Sequence, residues 1–157
     1  MELVQTRATT VNAAFLRDIK EDNLQLKRLF DEVAQMTFHR QAAINHWNDL
    51  GRTVDELLDQ MAMHFSLEEA YGYFDNAIEV AVQWSQKAES LRNQHASLFS
   101  QLVSLDAQMH DLAPERSTSI DHWLEDFQSF VQEFKRHEEE EVKMILAAID
   151  DDLGVGD

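Results

Sequence analysis

The chain has 157 residues, enough for one domain with a continuous apolar core, and carries 13 Lys and Arg against 30 Asp and Glu, a formal net charge of −17. That acidic balance excludes a phosphate-neutralising nucleic-acid surface and disfavours docking on anionic lipid. With no cysteine, disulfides, thiolate zinc sites, iron–sulfur clusters and cysteine nucleophiles are excluded together, so any metal must be held by His, Asp and Glu.

Four Gly and one Pro in the whole chain leave few turn signals between long segments rich in Leu, Ala, Glu, Gln and Lys, which predicts an all-α class. The opening MELVQTRATT has no basic stretch leading into an apolar run, and no window approaches the roughly 20 apolar residues that span a bilayer. The expectation is therefore a single cytoplasmic domain over residues 1–157, with the bundle at about 12–149 and a short acidic C-terminal tail.

The first periodic segment starts after Thr9 or Thr10 as N-cap and places Leu16, Ile19, Leu26, Phe30 and Val33 on one stripe, with Asn23 inside it. A second stripe runs Leu50, Val54, Leu57, Met61, His64, Glu68 and Tyr71, with Gly72 as its stop. Tyr73 to about Gln83 reads as an irregular connection. A third helix from about Ser85 turns Ala88, Leu91, His95, Leu98, Leu102 and Leu105 inward. Pro114 and the run Ser117, Thr118, Ser119 supply a loop and cap before a fourth, with Trp123, Phe127, Phe130, Phe134, His137, Glu141, Met144 and Ala148 on its stripe. Asp150, Asp151 and Asp152 lead into a frayed tail.

His64 follows Asn23 by 41 positions and His137 follows His95 by 42, the equal intervals expected of two hairpins in an up-down-up-down four-helix bundle. By analogy with Pro114, the first turn falls near residues 38–43. The alternative is a break at Gly51, followed by Thr53 to Glu56 as a capping box, which would leave the first pair unequal.

Residues at i and i+4 share a helix face, so His64 with Glu68 and His137 with Glu141 each offer a nitrogen and a carboxylate to one inward point. His95 adds an imidazole from the third helix. Any one inward histidine is more often a hydrogen-bonded core residue, but buried Glu68 and Glu141 need compensation, and a metal is the simplest. His and Glu converging inside a bundle suit iron, manganese or zinc.

The segments LLDQMAMHFSLEEAYGYF, LRNQHASLF and FVQEFKRHEEEEVKMI resemble the second, third and fourth helices of the hemerythrin-like HHE cation-binding domain. The resemblance implies a non-haem di-iron centre and carries over to His64, Glu68, His95, His137 and Glu141. The first-helix segment IKEDNLQLKRLF departs from the pattern, because Asn23 stands where the family has a ligand histidine. An amide is a weak neutral ligand, and Asp22, about 100 degrees round the helix, would reach inward only by local rotation. Asn23 and Asp22 are thus weak or lost ligands, and occupancy is one or two irons, with zinc or manganese as other choices. Glu69 and Glu138 are candidate acceptors for a ligand N–H, with a solvated surface role as the alternative. His39, His46, His110 and His122 fall toward the opposite end of the bundle; a second cluster there lacks paired carboxylates, and ordinary loop-end histidines are the plainer reading.

The function expected is a metal-binding protein that handles a small diatomic ligand, a related oxidant or iron itself. The alternative is a metal-free interaction bundle that kept the fold after losing its first-helix ligand, with a protein partner unspecified. No activated nucleophile or phosphate cradle supports an enzyme with an organic substrate.

Overall fold

Apolar residues alternate at spacings of four and three along three long stretches of the chain, the period that keeps one seam of an α-helix against its neighbours. The computed structural model describes residues 2–70, 82–113 and 117–155, and these form five helices and no strand: α1 (Glu2–Met36), α2 (Arg40–Asn45), α3 (Trp47–Ala70), α4 (Val82–Asp111) and α5 (Ser117–Val155). The four long helices make the bundle. Among the described residues, no helix is long and apolar enough to cross a membrane.

Side-chain contacts fix the directions. His110 Nε2 on α4 stands 3.3 Å from Asp55 Oδ1 on α3, and His95 Nδ1 stands 3.4 Å from Glu69 Oε1, so these helices run antiparallel. Trp123 Nε1 donates to the Leu105 carbonyl at 2.9 Å, while His137 Nδ1 stands 2.8 Å from Gln94 Oε1, so α4 and α5 do likewise. Trp47 meets Trp123 edge-on at 5.4 Å and His64 meets Glu138, which makes α3 and α5 parallel. The result is up-down-up-down.

Below the polar side chains the interior is an apolar cluster. Leu26, Leu29 and Val33 from α1 meet Leu50, Val54, Leu57 and Met61 from α3, Leu98, Leu102 and Leu105 from α4, and Trp123, Phe127, Phe130 and Phe134 from α5. Each large apolar side chain so enclosed contributes about 1.5–3 kcal/mol relative to exposure. Above this core the same seams carry Asp22, His64, Glu68, His95, His137 and Glu141, all buried. Ala88, Leu91 and Met144 then continue the α4 and α5 seams as buried apolar positions beyond the polar layer.

Several boundaries differ from the sequence reading. Thr9 and Thr10 lie inside α1, because the preceding residues contain no Gly or Pro and nothing removes a helical hydrogen bond. The turn between α1 and α3 occupies residues 37–46 and includes the short α2, capped by His39, whose Nδ1 accepts from the Ala42 amide at 3.0 Å. Gly51 breaks nothing: it is buried in the second turn of α3, where an added Cβ would meet Met109 Cε at an ordinary 3.7 Å. Helix α4 begins at Val82 rather than Ser85, and α5 runs past the expected bundle end at about 149, through Asp150, Asp151 and Asp152, to Val155, inside the stretch expected to fray. The expectations for Tyr71, Gly72, Tyr73 and Pro114, and for the side chains of Leu16 and Ala148, lie outside the described residues.

Candidate metal centre

The seam of α3 carries His64 and Glu68 one turn apart above Met61, and the seam of α5 carries His137 and Glu141 above Phe134. On α4 the same rule brings His95 inward between Leu91 and Leu98. None of these five side chains is more than 5% exposed. Burying them together follows from the 4-3 spacing alone, since each occupies a position that must face the bundle axis.

Their donor atoms fall into two sets that share Glu68. Glu68, His95, His137 and Glu141 each present one atom within 4.8 Å of the others, and His64, Glu68 and Glu138 do the same. Glu68 divides its oxygens between the sets: Oε1 lies 2.8 Å from His64 Nε2, and Oε2 lies 3.0 Å from His95 Nε2. Glu141 Oε2 contacts His137 Nε2 and stands 3.8 Å from His95 Nε2.

The three rings share one orientation. Every Nε2 faces a carboxylate of the centre, and every Nδ1 faces an acceptor behind the ring: Asp22 for His64, Glu69 for His95 and Gln94 for His137. An acceptor at Nδ1 holds a proton there, so that Nε2 can give its electron pair to a metal that displaces the Nε2 proton, the usual way a ligand histidine is oriented. Phe65 lies flat on His95 at 4.0 Å and meets His137 edge-on at 6.1 Å, while Phe134 meets His64 edge-on at 5.9 Å. These aromatic walls hold the rings in place.

The first helix corrects the sequence reading. Asn23 is exposed, and Asp22 is the residue that enters the centre, 3% exposed. The phase of α1 explains this: Asp22, Leu26, Leu29 and Val33 form the buried stripe, and Asn23 sits about 100 degrees from it. Asp22 Oδ2 contacts His64 Nδ1, and Oδ1 accepts from Gln60 Nε2 at 2.7 Å. Its carboxylate therefore stands behind the His64 ring, on the side away from Glu68 and Glu138, a place for orienting the ring.

Electrostatics match the geometry. Burial alone would depress His64, but Asp22, Glu138 and Glu68 around the ring outweigh it and push its pKa up to about 12. Burial is likewise overcome at His95, raised to about 9 by Glu141 and Glu68. Burial raises Glu68, yet His64 and His95 hold it below the usual carboxylate value. The carboxylates around the rings thus favour the positively charged state of His64 and His95.

A metal fits these residues better than hydrogen bonding does. Among the described residues Glu141 Oε1 is buried with no hydrogen-bond partner, where buried polar atoms are ordinarily paired, while Glu68 Oε2, His137 Nε2 and Glu141 Oε2 meet only other candidate donors of the same centre. Nitrogen and carboxylate donors without thiolate suit iron, manganese or zinc.

The four other histidines do not form a comparable centre. His39 caps α2, while His46 and His122 are exposed. His110 does have carboxylate neighbours, contrary to expectation: Asp55 and Asp106 each lie 3.3 Å from its Nε2, on the solvent side of α3 and α4. Burial first, and the facing Asp55 second, raise Asp106 to about 6.

Sequence reasoning missed Asp22 as the inward residue, and it missed Gln60, Gln94 and Phe65. Their spacings carry some signal, since Gln60 precedes His64 by one turn and Phe65 is apolar beside a seam position, but the partner across the gap decides each role. In comparison with known proteins, the chain matches the family described as Hemerythrin HHE cation binding domain over residues 14–149. No curated protein and no solved structure matches it significantly.

Proposed function

The chain belongs to the hemerythrin HHE cation-binding domain family, and from that premise we propose that it holds non-haem iron, one or two ions, to bind or sense oxygen, a related small oxidant or iron itself. His64, His95 and His137 serve as nitrogen ligands through Nε2, and Glu68 and Glu141 as oxygen ligands. The observation that carries this reading is the buried set Glu68, His95, His137 and Glu141, whose donor atoms converge within 4.8 Å of one another and leave Glu141 Oε1 without a hydrogen-bond partner among the described residues. Iron held there would supply one-electron redox chemistry and an exchangeable coordination position.

The protein's own part is to bind, orient and enclose. Glu69 and Gln94 hold the Nδ1–H of His95 and His137, so both rings keep Nε2 toward Glu68 and Glu141. Phe65 and Phe134 exclude bulk water, which strengthens every charge interaction inside.

Metal analysis of the chain purified without chelator, followed by anaerobic titration with iron(II), tests the reading. Iron retained or taken up at one or two per chain, and reduced by at least one ion per chain in the doubly substituted His137→Ala, Glu141→Ala protein, is the expected result. A chain that takes up none would overturn it and favour the metal-free interaction module, which the lack of any histidine on α1 supports.

A further inference from the structure

On the α3 side of the centre the known set of donors runs short. His64 and Glu68 are two ligands, and two do not hold a divalent ion in an N/O site, where three protein ligands are the usual minimum even with an open position. The first helix does not make up the number: Asn23 is exposed and Asp22 stands behind His64 at Nδ1.

We propose that Glu138 is the missing ligand, supplied by α5 to an ion held between His64 and Glu68. The proposal rests on the metal-binding reading above and deepens it. Glu138 Oε1 lies 2.6 Å from His64 Nε2, the same ring nitrogen that faces Glu68 Oε1 at 2.8 Å, so both carboxylates and the imidazole point at one place. The three donor atoms lie within 4.8 Å of one another. Glu68, 2% exposed, turns its other oxygen to His95 and bridges the two sets.

Helix α5 makes this arrangement possible. Consecutive residues differ by about 100 degrees, so His137 points to the α4 side while Glu138 points toward α3 and His64. The helix straddles the centre, serving one ion with His137 and Glu141 and the other with Glu138. The two sides also differ in access. Glu141 is 2% exposed, but the Glu138 side chain is 30% exposed. The ion on the His64 side therefore borders solvent and is the more readily exchanged.

The test is anaerobic equilibrium dialysis of the full chain against iron(II) alone, with metal counted per chain, for the parent, Glu138→Gln and Glu139→Gln. Glu139 is exposed and carries the same charge, so its variant controls for lost charge. Losing an outer partner of a ligand costs about 10–100-fold in metal affinity, and losing a direct donor costs no less. The parent is expected to bind two ions, one weaker. Glu138→Gln should keep the tighter ion, which also reports an intact fold, and weaken the other at least about tenfold. Glu139→Gln should behave as the parent. Two ions of unchanged affinity in Glu138→Gln, or loss of both from a folded chain, would overturn the role given to Glu138 while leaving the iron reading in place. A parent that binds one ion would overturn it in the same way. A parent that binds none removes the iron reading itself, and this proposal with it.

Discussion

Asp22→Asn separates the two roles an inward carboxylate has here, ligand or support. The substitution keeps the side chain's size and an oxygen able to accept from His64 Nδ1, and removes the charge together with the second acceptor, which takes the Gln60 amide. Asp22 and His64 are each 2% exposed at the side chain, so water does little to screen the loss. Among the described residues Asp22 is also the only carboxylate at Nδ1 of His64, whereas Glu68 and Glu138 both stand at Nε2. Outer carboxylates of this kind set affinity by about 10–100-fold, equivalent to about 1.4–2.7 kcal/mol. We expect the weaker iron(II) constant to rise by that factor, with stoichiometry and the tighter constant unchanged. Competition against a chromophoric chelator under anaerobic conditions reads both constants. Unchanged constants would refute the supporting role, and complete loss of one ion would show that Asp22 coordinates directly.

Asn23→His should leave metal content unchanged and stability within about 0.5 kcal/mol, because residue 23 faces solvent; a third ligand appearing as raised iron per chain would contradict the phase of α1. Phe134→Ala should cost about 3–5 kcal/mol in urea unfolding, since Phe134 is 5% exposed and stacks on Phe30 at 5.3 Å; a loss below about 1 kcal/mol would refute the packing described. Asp106→Asn should stabilise the protein at pH 8 and do little at pH 4. Asp106 is raised from 3.8 to about 6 in the fold, so its contribution is present below pH 3.8 and lost as pH rises through 6, above which the carboxylate opposes folding. Partial exposure of the pair, with Asp106 at 17% and Asp55 at 50%, limits the gain to about 1 kcal/mol, a rise of about 2–4 °C in Tm, and an equal shift at both pH values would refute the assignment.

Much of this architecture is legible in the residues alone. The 4-3 spacing of Leu50, Val54, Leu57, Met61, His64 and Glu68 commits each to the bundle axis, and the same period on α4 and α5 commits His95, His137 and Glu141. The turn expected near residues 38–43 falls within the observed 37–46, and the 42-residue interval from His95 to His137 fits the antiparallel pairing of α4 with α5, although the first interval starts at Asn23, which lies off the seam. Local period determines these features because a helix side chain's direction depends only on its own position in the helix.

The phase of α1 is different. Leu29 and Phe30 are both apolar, so a stripe through Leu26 and Val33 passes equally well through either: the Phe30 choice places Asn23 inside, and the Leu29 choice places Asp22 there. Leu29 is 2% exposed and Phe30 only partly buried, which turns Asp22 to His64. Helix propensity is indifferent between the two phases; the neighbouring surfaces of α3 and α5 decide by what they pack against and what they pair. Glu138 follows the same rule. In the run Glu138 to Glu141 only Glu141 lies on the seam, and nothing within α5 distinguishes Glu138 from a surface acid. Its role depends on His64, 74 positions earlier, standing 2.6 Å away. A contact between helices is a property of their relative placement, and only the assembled bundle fixes it.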